Sequence, residues 1–158
     1  MGAGTLRRGR DRRRDLPIRT AAARRLGLRD PVERALDLLE ALGQQAVEEG
    51  LKVSWFTLED LGVLLRSHRA DDTVTKAIAK ILRADLIIVD DIGLLPVATD
   101  AAEGLYRLVD AAYEKRAIAI SSNLHPAGFD ELMPKTIATA TVDRLLYHAH
   151  VCQTSGDS

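Results

Sequence analysis

The sequence has little of what would place it in an oxidising compartment or a membrane. Cys152 is the one cysteine, so no disulfide can close within the chain, and a reduced, cytoplasmic setting is expected. No apolar run approaches the roughly 20 residues that span a bilayer. No signal peptide is expected either, because the N-terminus is arginine-rich with no apolar stretch behind it. Aromatic residues make up 4%, and Trp55, Phe56 and Tyr106 are too scattered to form a base-stacking platform. Lysine is missing from the first 40 residues, which hold eleven arginines; the first lysine is Lys52.

The 158 residues are 46% apolar and 28% charged, enough for one domain with a real core. The net charge of −1 hides an asymmetry. Residues 1–29 carry ten Arg and two Asp, a balance of +8 against −9 in the remainder. Arg7, Arg8, Arg10, Arg12, Arg13 and Arg14 crowd among glycines, which suits a disordered arm able to hold nucleic-acid phosphates, or a tail not native to the fold. Residues 30–158 are expected to form the folded domain.

From Asp30 the pattern turns helical. Asp30 can cap, Pro31 suits the first turn, Val32, Leu36, Leu39, Leu42, Ala46 and Val47 recur at helical spacing, and Gly50 reads as the stop. Leu51 to Phe56 is a strand candidate. Thr57-Leu58-Glu59-Asp60 is a capping box opening a helix through Leu65. Asp71 or Asp72 is expected to cap a further helix through Leu82. Gly93 and Pro96 mark a loop, and Asp100-Ala101-Ala102-Glu103 reads as a second capping box. Ala117 to Ser121 is another short strand, Pro126 to Leu132 a short helix, Ile137 to His148 a longer one, and Ala149 to Cys152 a last strand. Strands alternating with helices predict βαβ units and a mostly parallel sheet.

Among these elements, Ala84-Asp85-Leu86-Ile87-Ile88-Val89-Asp90-Asp91-Ile92-Gly93 stands out. A short continuous apolar run reads as a strand buried on both faces. Carboxylates at its C-terminal end sit where ligands bind in open α/β sheets. This is the pattern of the acidic strand of P-loop NTPases, in which the first Asp holds Mg²⁺ and a second acid polarises the attacking water. The plainer reading is a buried strand and a solvated acidic turn. Asn123 ends the next strand, so it could converge with Asp90 and Asp91 on one phosphate site, or merely cap the turn into Pro126. Arg144, on the following helix, could offset transition-state charge in cis or from a neighbouring subunit, or pair with Asp143 at the surface. His148, His150 and Cys152 alternate, and core packing is the expected role rather than metal binding.

A family resemblance joins these residues. Ala41-Leu42-Gly43-Gln44-Gln45-Ala46-Val47-Glu48-Glu49-Gly50-Leu51-Lys52-Val53 resembles the stretch just after the phosphate loop of the IstB-like ATP-binding proteins. These are helper ATPases of bacterial insertion sequences, relatives of the DnaC helicase loader in the AAA+ group. The likeness continues through Phe56 to Leu61, Ala84 to Gly93, Tyr113 to Arg116, Ser121 to Leu124, Asp143 to Val151 and Gly156-Asp157-Ser158. It implies a three-layer α/β fold with an AAA+-type parallel sheet, truncated. It implies ATP and Mg²⁺ as ligands, with DNA, a transposase and further copies of the chain as partners, and no membrane. By that resemblance Asp90 and Asp91 are the Mg²⁺-holding and water-activating acids, Asn123 senses the γ-phosphate, and Arg144 acts across a subunit boundary.

One part of the pattern is missing. A G-x-x-x-x-G-K-[ST] loop supplies backbone N–H groups, a lysine and a hydroxyl to the phosphates. It belongs just before Ala41, where the chain reads Arg29-Asp30-Pro31-Val32-Glu33-Arg34-Ala35-Leu36-Asp37-Leu38-Leu39-Glu40. The acids at 30, 33, 37 and 40 would repel a triphosphate, and no apolar strand precedes this helix. The expectation is therefore a truncated or frameshifted copy of a transposition helper with impaired ATP binding. The alternatives are a DnaC-like helicase loader and a non-enzymatic remnant binding DNA or a partner.

Overall fold

The computed structural model describes residues 31–93 and 97–154. The arginine-rich segment 1–29, the expected cap Asp30, Pro96 and Gly156-Asp157-Ser158 lie outside the described residues, as do the side chains of Pro31, Val32, Glu33 and Asp91.

The chain alternates helix and strand as its periodicity predicts. Helix α1 (Pro31–Glu48) leads to strand β1 (Val53–Thr57), α2 (Leu58–Arg69), α3 (Val74–Ile81), β2 (Leu86–Ile92), α4 (Thr99–Ala112), β3 (Ala117–Ser122), a 3₁₀ helix (Pro126–Glu131) and α5 (Lys135–Leu146). The three strands form one parallel sheet in the order β1-β2-β3. Because side chains alternate along a strand, β2 serves two cores. Leu86 and Ile88 face α1, packing with Leu39, Ala46, Leu51, Trp55 and Ala119. Ile87 and Val89 face the opposite layer, where Leu58, Leu61 and Leu65 of α2, Ile78 and Ile81 of α3, Leu105 and Leu108 of α4, and Ala138 of α5 gather. The result is three layers, helix on sheet on helices.

Local signals explain the element ends. Gly50 takes φ +79°, its N–H donating to Val47 O at 2.9 Å while Leu51 N–H reaches Ala46 O at 3.0 Å. This pair of bonds closes α1 as a Schellman motif. Thr57 caps α2 as expected: its hydroxyl accepts from Asp60 N–H at 3.2 Å, and the Asp60 carboxylate accepts the Thr57 N–H at 2.7 Å. At the crossing of α2 over α4, a Cβ added at Gly104 would lie 3.0 Å from Leu61 O, and one at Gly62 3.1 Å from Ala101 Cβ. The two helices approach this closely only because both positions lack a side chain.

Several expectations are corrected. Helix α3 is capped at Thr73 without a side-chain bond, not by Asp71 or Asp72. Asp72 sits at φ +55°, and Asp71 accepts the Thr73 hydroxyl at 2.6 Å, so neither carboxylate reaches the helix amides. The capping box at Asp100 does not form; α4 starts at Thr99 after Ala98. Its two acids are taken by arginines: Arg69 lies 2.7 Å from both Asp100 and Glu103, and Arg107 lies 2.8 Å from Glu103. Residues 149–152 are not a strand. They are exposed and pair with none of the described strands, and a strand without a neighbour has no ladder to join. His148, His150 and Cys152 are accordingly exposed rather than core.

Asp85 pins the start of all three strands. Its carboxylate accepts Lys52 N–H at 3.0 Å, its own N–H donates to Lys52 O at 2.8 Å, and its carbonyl accepts Ala117 N–H at 3.2 Å. The side chain is 2% exposed, and its other carboxylate oxygen is buried with no partner among the described residues. Burial pushes its pKa above the ordinary 3.8, against the pull of Arg116 and Lys52. Its contribution to stability is therefore fullest below the unfolded value and is lost as pH rises through the folded one. Asp85→Asn keeps an acceptor for Lys52 and removes the charge. Urea denaturation should show this variant gaining on the wild type as pH rises through that window, and Asp85→Ala losing about 1–3 kcal/mol through the stranded Lys52 N–H. A wild-type–minus–Asn difference that does not change with pH would contradict this account.

Candidate functional site at the acidic edge of the sheet

The end of β2 departs from regular pairing. Val89 pairs with Ile120 and Ile92 with Ser122, so Asp90 and Asp91 together oppose Ser121 alone. This is a β-bulge, and it resets the alternation. Ile92, fully buried, joins Ile87 and Val89 in the helix-layer core. Regular alternation through both carboxylates would instead turn Ile92 toward α1.

Asp90 continues the Leu86–Ile88 face and Ser121 the Ala117–Ala119 face, so the two meet. The Ser121 hydroxyl donates to Asp90 Oδ1, and Asp90 is 7% exposed. Such a bond satisfies a buried carboxylate and fixes its rotamer. Asp91 is the second bulge residue.

Asn123 is brought to the same edge by its backbone. Its N–H donates to Ile92 O at 2.9 Å, and its side chain is exposed. The Ser122 hydroxyl accepts Leu124 N–H at 3.0 Å and holds the turn that follows. Gly93 faces this turn at φ +86°, and a Cβ there would come within 2.8 Å of Leu124 Cγ. Only glycine lets the two strand ends approach in this way.

Arg144 is not brought to this edge. Its Nε lies 2.8 Å from Asp110 Oδ1, its Nη1 donates to Ala140 O at 3.0 Å, and its guanidinium is 5.9 Å from the Tyr106 ring centroid. Asp110 is near the end of α4, just before the chain turns into the start of β3. Arg144 therefore sits toward the sheet edge opposite Asp90, and its partner is Asp110 rather than Asp143. Sequence reasoning missed Ser121 and Gly93 as site residues. Ser121 lies in the quoted Ser121-Ser122-Asn123-Leu124 stretch, and only its pairing with Asp90 gives it a role.

The residues present fit the implied ligands in part. Mg²⁺ commonly uses one or two carboxylates plus phosphate oxygens and water. Asp90 can supply one, while no group of three His, Cys, Asp or Glu side chains is gathered among the described residues. The grip for a triphosphate does not fit. Helix α1 runs antiparallel to the strands, since Glu48 is followed closely by the start of β1, so its first turns point toward the acidic edge. Those turns offer Asp37 and Glu40 rather than a glycine-rich loop and a lysine. Lys52 lies at the far edge, bound through its backbone to Asp85. A hollow of about 570 Å³ between α3, α4 and α5, floored by Ile78, Leu82 and Ile137, is also remote from Asp90.

Comparisons with known proteins identify the family and the fold. A sequence model of the family described as IstB-like ATP binding protein matches residues 36–158. A putative ATP-binding protein of insertion sequence IS21 from Pseudomonas aeruginosa is 32% identical over 119 residues, covering 75% of this chain and 45% of that protein. A putative insertion-sequence ATP-binding protein of Sinorhizobium fredii is 34% identical over 124 residues, covering 77% and 41%. The chain thus spans about half the length of the curated relatives it matches. Among solved structures, AMPPCP-bound DnaA from Aquifex aeolicus superposes with a TM-score of 0.54 at 21% identity, covering 67% of this chain and 34% of that one. DnaA bound to AMPPCP and single-stranded DNA gives 0.52 at 19% identity. The fold is therefore α/β of the AAA+ type, matched over part of its length.

Gly93→Ala should cost about 1–3 kcal/mol in urea denaturation, from the left-handed backbone and the Leu124 contact together. A change under about 0.5 kcal/mol would show that the Gly93–Leu124 approach is not a constraint.

Proposed function

The chain belongs to the IstB-like ATP-binding proteins, and from that premise we propose that it serves as a helper of insertion-sequence transposition that associates with DNA and a transposase, with impaired ATP binding. The observation that carries this reading is the edge of β2. A carboxylate held by Ser121 sits beside Asn123 at the end of the central strand, in front of a helix that brings acids instead of a phosphate loop.

In this reading Asp90 is the Mg²⁺ ligand, Asp91 the acid for water, and Asn123 the residue facing the γ-phosphate. Arg144 serves a neighbouring copy. Its position on the other flank supports a role between subunits, since it is too far along α4 and α5 to reach Asp90 of its own chain. The residues that would hold the phosphates of ATP do not fit it. Binding through surfaces other than the nucleotide site then carries the helper's role. The arginine-rich residues 1–29 support DNA contact through phosphates.

Calorimetry with ATP and Mg²⁺ should detect no association tighter than about 1 mM, a free energy of about −4 kcal/mol. Submicromolar, Mg²⁺-dependent binding abolished by Asp90→Ala would overturn the claim of impairment. Duplex DNA titrated at increasing salt should bind more weakly, with a shallower salt slope, once residues 1–29 are deleted. An unchanged slope would remove the arginine-rich arm from the account.

A further inference from the structure

The three parallel strands start at the edge opposite Asp90, and that edge carries cations that the acidic edge does not use. Lys52 precedes β1, Arg83 precedes β2, and Lys115 and Arg116 precede β3. A strand spacing of about 4.8 Å spreads this row over about 10 Å. Arg116 ties the row together. Its Nε donates to Leu82 O at 2.6 Å, and both it and Lys52 act on the buried Asp85 carboxylate between them.

Helix C-termini attract cations, and α3 and α4 both end at this edge. Arg116 answers that demand at Leu82. The side chains of Lys52, Arg83 and Lys115 do not, since among the described residues they make neither a hydrogen bond nor an ion pair. Arg83 and Lys115 are fully in solvent. Of the acids nearby, Asp85 is buried beneath the row, Glu114 lies in the turn before β3, and Glu48 and Glu49 accept the amides of Gln44 and Gln45.

The row ends at an aromatic cluster. Tyr113 closes α4 and Tyr147 closes α5, with their ring centroids 6.0 Å apart, and the His148 ring meets Tyr147 edge-on at 4.4 Å. Tyr147 is 62% exposed although two rings touch it. A ring propped by neighbours yet open to water loses little freedom when a flat group stacks on it. Tyr113 also shares its turn with the cations, because Lys115 N–H and Arg116 N–H both donate to Ala112 O at 2.9 Å.

Unpartnered cations leading to an exposed, propped ring match a single-stranded nucleic acid, with phosphates along the row and a base on the ring. A duplex brings the phosphates but keeps its bases stacked inside, and an acidic protein segment brings charge without a flat partner for the tyrosine. Resting on the DNA association read above, we propose that the strand-start edge binds single-stranded nucleic acid, with Lys52, Arg83, Lys115 and Arg116 on phosphates and an unpaired base stacked on Tyr147. This gives the DNA contact a second place on the chain, separate from residues 1–29, and a preference for unpaired bases.

Fluorescence anisotropy with the full chain tests it, using labelled oligothymidylate, an abasic strand of the same length and a duplex. Residues 1–29 can touch only phosphates in this account, so any difference between the thymidine and abasic strands reads the ring. Tyr147→Ala should weaken oligothymidylate binding by about 5- to 100-fold and leave the abasic strand and the salt slope unchanged. Tyr147→Leu, which keeps an apolar side chain against Tyr113, should weaken it likewise, and Tyr147→Phe should not. Arg83→Ala with Lys115→Ala should weaken both single strands alike and lower the salt slope by about 1.4. Equal wild-type affinity for the thymidine and abasic strands would overturn the proposal, as would self-association that Tyr147→Ala dissolves, which would mean that a second copy covers the ring. Binding that persists unchanged in every variant removes this edge alone; absence of binding to any strand, duplex included, removes the DNA association with it.

Discussion

Strand β2 is closed to water on both faces, and this constraint places everything else. Leu86 and Ile88 must meet α1, and Ile87 and Val89 must meet the helices opposite. A slip of one residue would exchange the two sets and bring polar groups into both cores. The register is reinforced at the strand's beginning by Asp85, whose backbone and carboxylate bind Lys52 and whose carbonyl binds Ala117. A charge in that position is costly, and its tolerance shows how much the alignment of three strands depends on one acceptor.

Most of the fold was legible from the chain because its signals are local. The apolar runs of β2 and β3, the Thr57–Asp60 box and the Gly50 stop each depend on residues within a few positions. Apart from the cap expected at Asp71 or Asp72, which Thr73 two residues on diverts, what failed depends on partners distant in sequence. Asp100 and Glu103 look like capping acids until Arg69, more than thirty positions earlier, claims both. Residues 149–152 alternate like a strand, but alternation does not supply a neighbour. At the site, the grouping of Asp90 with Asn123 followed from strand order. The bulge and the Ser121 bond did not, because both arise from pairing across 31 positions.

The chain separates two requirements of nucleotide chemistry that usually come together. A carboxylate at a strand end needs only a buried strand and a hydroxyl to hold it, and both are present for Asp90. Gripping phosphates needs a backbone shaped by glycines and a cation, and the turns of α1 nearest the edge carry acids. Placement of Arg144 against Asp110 and Tyr106 adds a spatial separation, since the guanidinium and the acids occupy opposite ends of the sheet.

The approach of Gly93 to Leu124 has a meaning for sequence variation. The spacing between the two strand ends of the proposed site is written at a position that has no polar side chain. Any side chain there would wedge the turns apart and move Asn123 while every polar residue stayed unchanged. A search of variants restricted to charged and polar residues would score such a protein as intact, though its two halves of the edge would no longer face the same point.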